Sequence, residues 1–150
     1  MDKNFRLNAL KHEINNLFFK IETASELLSE NELSNKERQE AFRILKSNIE
    51  LLKVLIDNLI VLETLNKKEK IDLYDFFEKT VSKRYINGYP NALKRALENL
   101  KFLGVDFYME NDVLQINRIP EDKISGYLLY LTEYFFKLNC IKMIQKESDD

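Results

Sequence analysis

The sequence contains few of the residues on which several common classes of protein site depend. Its 150 residues include three glycines, two prolines, one cysteine and one histidine. Nucleotide-binding loops bring backbone close to phosphate through clustered glycines. Here Gly88, Gly104 and Gly126 stand far apart, and the sequence excludes a P-loop or a Rossmann nucleotide site.

The single cysteine, Cys140, excludes an internal disulfide, and we expect it to be a small apolar residue within a helix. The amino-terminal residues lack the apolar core of a signal peptide. The best candidate for a membrane span, residues 51–62, is shorter than the roughly 20 apolar residues required and carries charges. We therefore expect a cytoplasmic protein without a membrane association.

The charge balance bears on the class of partner. The formal net charge is -2, and no long basic run occurs. This argues against nucleic acid as the main partner. Hydrophobic residues at 45% and charged residues at 32% predict a folded globular chain with a buried core.

The first part of the chain has a regular heptad pattern. Residues 4–30 place apolar side chains at alternating spacings of three and four, which predicts a helix packed along one seam. A polar segment follows, in which Ser34 and Glu37 form a capping-box pattern that starts a second helix. The predicted seam of the first helix consists of Leu7, Leu10, Ile14, Leu17, Ile21, Ala24 and Leu28.

The second helix is predicted to end near residues 66–70 and to pack antiparallel to the first as a long hairpin. Its apolar stripe is wide, so a lone hairpin would leave much of it in water. We therefore expect a homodimer in which two hairpins form a four-helix bundle, although the second domain could cover some of the same surface. The predicted stripe consists of Phe42, Leu45, Ile49, Leu52, Ile56 and Leu59, widened by Leu55 and Leu62.

The remainder of the chain predicts a small α+β domain, with domains at 1–68 and 69–150. Asp72 is expected to cap a helix that runs to Tyr85, and residues 86–91 are expected to form a turn. Pro90 and Gly104 delimit another helix. Short strands are predicted at 105–109 and 113–117, and a final helix is predicted to start at Pro120.

The single histidine lies within the first helix. With the seam at Leu10 and Ile14, His12 falls on the opposite face and should be exposed. No second histidine and no thiol lies near it in the sequence, which argues against a metal site. An uncharged imidazole in this position offers a ring nitrogen lone pair to a partner.

The segment from His12 to Leu17, His-Glu-Ile-Asn-Asn-Leu, resembles the phosphoacceptor motif of the histidine kinase dimerisation domain. That pattern has histidine, an acid, an apolar residue, a variable residue, and asparagine or threonine. Leu17 replaces the proline that often follows, which leaves the usual helix bend in doubt. The resemblance implies that His12 accepts a phosphoryl group, that Glu13 assists proton removal and that Asn16 assists dephosphorylation. Glu13 and Asn16 are alternatively plain solvated positions of the helix.

Other side chains of the first helix are candidates for binding a partner. Phe19 lies one heptad beyond His12, where an exposed phenylalanine suggests a docking position. Lys11 and Lys20 would add positive charge near a phosphoryl group, or would simply be solvated. With Asn15, these residues form the predicted partner-binding set.

Residues 71–81 resemble the opening strand and helix of the kinase ATP-binding domain. Tyr130 and Tyr134 stand where that domain carries its magnesium-binding asparagines, and the chain ends before the DxGxG and lid segments. The resemblance implies a degenerate kinase-like domain that binds neither ATP nor another cofactor.

The implied function is phosphoryl transfer between His12 and response-regulator receiver domains, which would supply the Mg²⁺. The layout is similar to that of the sporulation phosphotransferases and the ChpT-like proteins. A fragment of a kinase, a dimeric adaptor that does not transfer phosphate, and a structural coiled-coil scaffold are the alternatives.

Overall fold

The computed structural model describes residues 2–117 and 123–145. The chain divides into two compact units, Met1–Glu63 and Thr64–Asp150. This division falls a few residues before the predicted boundary between residues 68 and 69. The fold is mainly helical with a small sheet part, as the sequence predicts. No helix in the described ranges is both long and apolar enough to cross a membrane.

The first unit contains two long helices that pack together, α1 (Asp2–Leu28) and α2 (Asn35–Glu63). Most of the predicted α1 seam is buried, with Leu10 and Leu17 almost completely enclosed. Contacts at both ends show that the helices are antiparallel. Lys11 near the start of α1 meets Glu63 at the end of α2, and Arg38 near the start of α2 meets the last turn of α1.

The turn between the two helices is fixed by local hydrogen bonds. The Glu37 amide donates to Ser34 Oγ at 3.1 Å, and the Ser34 amide donates to Glu37 Oε1 at 3.3 Å. These bonds form the predicted capping box, which satisfies amides that the helix itself leaves unpaired. The Arg38 guanidinium donates to the carbonyls of Leu28 at 3.0 Å and Glu30 at 3.2 Å, closing the end of α1.

The inward face of α2 differs from the prediction. Ala41, Leu55 and Leu62 are buried, whereas the predicted Phe42 and Ile56 are exposed, as is Ile49. Both sets follow seven-residue spacing and are offset by one residue, which is about 100° around a helix. Apolar spacing alone cannot tell which of two such stripes faces α1. Leu55 and Leu62, which were predicted only to widen the stripe, are in fact the residues that pack against α1.

The second unit contains three helices and five short strands within its described residues. The β1 and β2 strands pair antiparallel, with Ile71 opposite Ile86. The other sheet has the order β3-β4-β5, with β4 antiparallel to β3 and parallel to β5. In chain order the elements are β1 (Glu69–Asp72), α3 (Tyr74–Phe77), β2 (Tyr85–Gly88), α4 (Pro90–Phe102), β3 (Phe107–Glu110), β4 (Val113–Ile116), α5 (Lys123–Leu138) and β5 (Lys142–Gln145).

The predicted helix from Asp72 to Tyr85 is wrong. Asp72 does accept a hydrogen bond from the Tyr74 amide at 3.0 Å, but α3 has only four residues. It ends at Phe77, and the next residue, Glu78, has a φ of 55°. Pairing of β1 with β2 requires the chain to reverse between them. Residues 85–88, predicted mainly as turn, therefore form a strand.

The predictions for α4 and for the β3–β4 hairpin are confirmed. Pro90 is the first residue of α4, and the amides of Gly104 and Val105 donate back to Lys101 and Leu100 in a Schellman motif. Asn111 and Asp112 both have positive φ, as a tight hairpin turn requires.

Cys140, predicted within a helix, lies just after α5 and is exposed. Pro120, the predicted start of the last helix, lies outside the described residues.

Candidate functional site

The candidate site lies on the outer face of α1. Leu10 and Ile14 point into the hairpin, with exposed fractions of 0% and 7%. His12 lies two residues from each of them, which is about 200° around the helix. It is exposed, as its position relative to the seam predicts. Its side chain is therefore accessible from solvent.

The polar neighbours of His12 occupy the same part of the helix. Asn16 lies one turn further on, close enough for both side chains to contact one bound group, and Asn15 is also exposed. Glu13 is partly buried and lies about 100° to one side of His12. The imidazole of His12 and the amide of Asn16 therefore share one face, with Asn15 to one side of them and Glu13 to the other.

Lys11 connects this region of α1 to the end of α2. Its Nζ lies 3.8 Å from Glu63 Oε1, and both side chains are about half exposed. Exposed pairs of this kind contribute about 0–1 kcal/mol. Lys11 thus lies beside the His12 face and is directed towards α2.

Two exposed phenylalanines flank His12 at equal distances. Phe19 is 71% exposed and Phe5 is 69% exposed. Each lies seven residues from His12, so each shares its face about 10 Å away along the axis. The sequence reasoning singled out Phe19 and missed Phe5, although the same heptad spacing applied towards the amino terminus would have found it.

A groove between α1 and α2 adjoins Phe19. It has a volume of about 330 Å³ and is almost entirely apolar. Two of the predicted partner-binding residues, Phe19 and Lys20, contribute to it. Its full lining consists of Phe19, Lys20, Thr23, Ala24, Leu27, Ala41, Ile44 and Asn48.

A second surface of the hairpin is the exposed apolar stripe of α2. We call it the outer stripe and define it by Phe42, Ile49 and Ile56, which are 56%, 38% and 37% exposed. The intervening Leu45 and Leu52 are partly buried. The stripe runs along much of α2, to one side of the buried face.

The described residues contain no cluster of three or more histidine, cysteine, aspartate or glutamate side chains that could hold a metal ion. Comparisons of the chain with protein-family models, with curated proteins and with solved structures gave no match.

Proposed function

We propose that this chain is a histidine phosphotransfer protein that carries a phosphoryl group on His12 and works as a homodimer. The observation that carries the proposal is the exposure of His12 opposite the buried seam of α1. Glu13 and Asn16 accompany it in the arrangement that the motif implies. The two flanking phenylalanines supply apolar contact area for a visiting domain.

The proposed reaction is an exchange between two protein side chains. A ring nitrogen of neutral His12 attacks the phosphorus of a receiver's aspartyl phosphate. The N–P bond forms, the acyl P–O bond breaks, and the aspartate leaves as a carboxylate. Glu13 assists removal of the proton from the other ring nitrogen. The reverse reaction passes the group to a second receiver, so the chain needs no nucleotide.

Catalysis in this scheme comes mainly from positioning. The hairpin presents His12 on the outer face of α1, and Asn16 donates its amide hydrogens to a phosphoryl oxygen. The Mg²⁺ that screens the phosphoryl charge would belong to the receiver.

The outer stripe supports the homodimer. A helix with two apolar stripes buries both of them only when it has two neighbours. One stripe of α2 packs against α1 within the chain, and a second copy would cover the other. Two hairpins related by a two-fold axis would then form a four-helix bundle with two copies of His12 on its outside.

For the second unit we propose a degenerate kinase-like domain that does not bind ATP. The positions at which the resemblance expects magnesium-binding asparagines are Tyr130 and Tyr134. A neutral phenol is a much weaker ligand for Mg²⁺ than the carboxylate, carbonyl and water oxygens that this ion prefers.

The experiment that tests the proposed function is transfer from a receiver. Response-regulator receivers encoded by the same cell would be phosphorylated on aspartate with labelled acetyl phosphate, freed of the donor and mixed with this chain. We expect acid-labile label on the chain. Because the chain has one histidine, His12→Gln should abolish that label, whereas Lys46→Gln, a change at an exposed position of α2, should leave it intact.

The same experiment distinguishes a non-catalytic adaptor. The exposed Phe5 and Phe19 would serve docking without transfer equally well. An adaptor would bind a receiver with the same affinity in the wild type and in His12→Gln, and neither would take up label. Label of equal amount on His12→Gln would refute the assignment of the phosphoryl-carrying residue.

A further inference from the structure

The second unit contains a pocket that the proposed phosphotransfer does not use. Its volume is about 480 Å³, which is within the range of small-molecule sites. The walls come from five parts of the unit: the residue between β1 and α3, the segment after α3, the β2 strand, the β3–β4 hairpin and the turn between α5 and β5. The apolar walls are Leu73, Val81, Ile86, Met109 and Ile141.

One wall of the pocket is fixed by a pair of hydrogen bonds between distant segments. Asp112 accepts a hydrogen bond from the Ser82 amide at 2.7 Å through Oδ1 and another from the Ser82 hydroxyl through Oδ2. These bonds hold the pKa of Asp112 below its usual value. Both of its oxygens are thereby engaged, and the segment that carries Lys83 is tied to the β3–β4 hairpin.

Lys83 brings a positive charge to the pocket, whose lining also carries the carboxylate of Asp112. Lys83 follows Ser82 directly and lines the cavity, and no carboxylate in the described ranges forms an ion pair with it. Asn87 also lines the cavity and has amide hydrogens to donate. Asp112 keeps its negative charge, but each of its oxygens already accepts a hydrogen bond from Ser82. Lys83 and Asn87 are therefore the side-chain donors that a ligand can reach.

Cys140 also lines the pocket, in a backbone conformation that favours glycine. Its φ is 59°. It occupies the same position after α5 that Gly104, with φ 68°, occupies after α4. A side chain is disfavoured there, yet this position of the pocket lining holds a cysteine.

We propose that this pocket binds a small amphiphilic carboxylate, with its apolar body against Ile86, Met109 and Ile141 and its carboxylate at Lys83. Apolar walls with one unpaired ammonium match a molecule that is apolar along most of its length and anionic at one end. This site would add small-molecule recognition to the proposed phosphotransfer and does not depend on it.

The single cysteine is a built-in reporter for the test. Alkylation of the full chain by iodoacetamide, which is uncharged, would be followed by intact mass with decanoate, decanol or decylamine present. We expect decanoate to slow the alkylation of Cys140 with a dissociation constant of about 1 mM or tighter. Decanol should bind at least about tenfold more weakly because it lacks the charge, and decylamine more weakly still.

A pair of lysine variants separates the pocket from general charge effects. Lys83→Met should weaken decanoate binding about tenfold, so that decanoate and decanol become similar. Lys79→Met, at an exposed position outside the lining, should behave as the wild type. Calorimetric titration of decanoate would check the same constants without the thiol.

The proposal would be overturned by any of three results. One is alkylation at an unchanged rate with decanoate. Another is equal protection by decanol or decylamine, and the third is wild-type decanoate affinity in Lys83→Met.

Discussion

Truncation of Phe42 in the outer stripe should break the proposed dimer. Phe42 is 56% exposed, so about 110 Å² of a side chain of roughly 200 Å² remains in water in the single chain. Burying that area contributes about 2.8 kcal/mol at ~25 cal/mol per Å². In a two-fold dimer the residue occurs twice. Because alanine would retain part of the contact, we expect Phe42→Ala to weaken the free energy of dimer association by about 4 kcal/mol.

This loss corresponds to a roughly thousandfold weaker dimer. Sedimentation velocity over a range of chain concentrations would measure the dissociation constants of the wild type and the variant. Phe19→Ala is the matched control: it removes the same side chain from a position that is still more exposed, at 71%, but lies on the His12 face. It should leave the dimer intact.

Two outcomes would refute the assignment of the outer stripe to the dimer. One is a wild type that sediments as a monomer throughout the micromolar range. The other is equal weakening of the dimer by Phe42→Ala and Phe19→Ala, which would place the interface elsewhere.

Three further predictions concern the second unit, each measured by thermal and denaturant unfolding. In Gly88→Ala the new Cβ would overlap Asn139 Oδ1, which accepts a hydrogen bond from the Tyr89 amide at 2.7 Å. We expect the free energy of unfolding to fall by about 2–3 kcal/mol. A fall smaller than the error of the measurement would contradict this packing. Cys140→Gly should instead raise the free energy of unfolding by about 0.5–1 kcal/mol. A side chain at the positive φ of Cys140 costs about 1–2 kcal/mol, and the greater entropy that glycine loses on folding offsets part of the gain from removing it. The Arg84 guanidinium, through its hydrogen bonds, holds the pKa of Asp72 below its usual value. The stabilisation of the fold by this pair is therefore complete near neutral pH and is lost as the pH falls through that lowered pKa. Asp72→Asn should therefore lower the melting temperature near neutral pH but not in strong acid, and an equal effect at both would refute the assignment.

The helical hairpin was largely predictable because α1 carries a single apolar seam. Three- and four-residue spacing then determines both the helix and its inward face. In α2 two heptad stripes lie side by side, so spacing predicts the helix but not the face. Which stripe packs against α1 depends on the fit between two surfaces, and only the structure shows that Leu55 is inside and Ile56 outside.

The second unit was harder to predict because strand pairing, and not the local helix preference of the residues, determines its secondary structure. Asp72 begins a helical turn, yet residues 85–88 join β1 in a sheet. The positions of His12, Asn16 and Phe19 follow from helix geometry within one element. The pocket could not be predicted in this way, because Ser82, Asp112 and Cys140 come together only through the tertiary fold.

The central proposal is that His12 carries a phosphoryl group. The intact mass of the chain, recorded after brief mixing with a phosphorylated receiver, tests it most directly. The wild type should gain the mass of one phosphoryl group as the receiver loses it, and His12→Gln should gain none. No gain with any receiver of the same cell, or an equal gain in His12→Gln, would contradict the proposal.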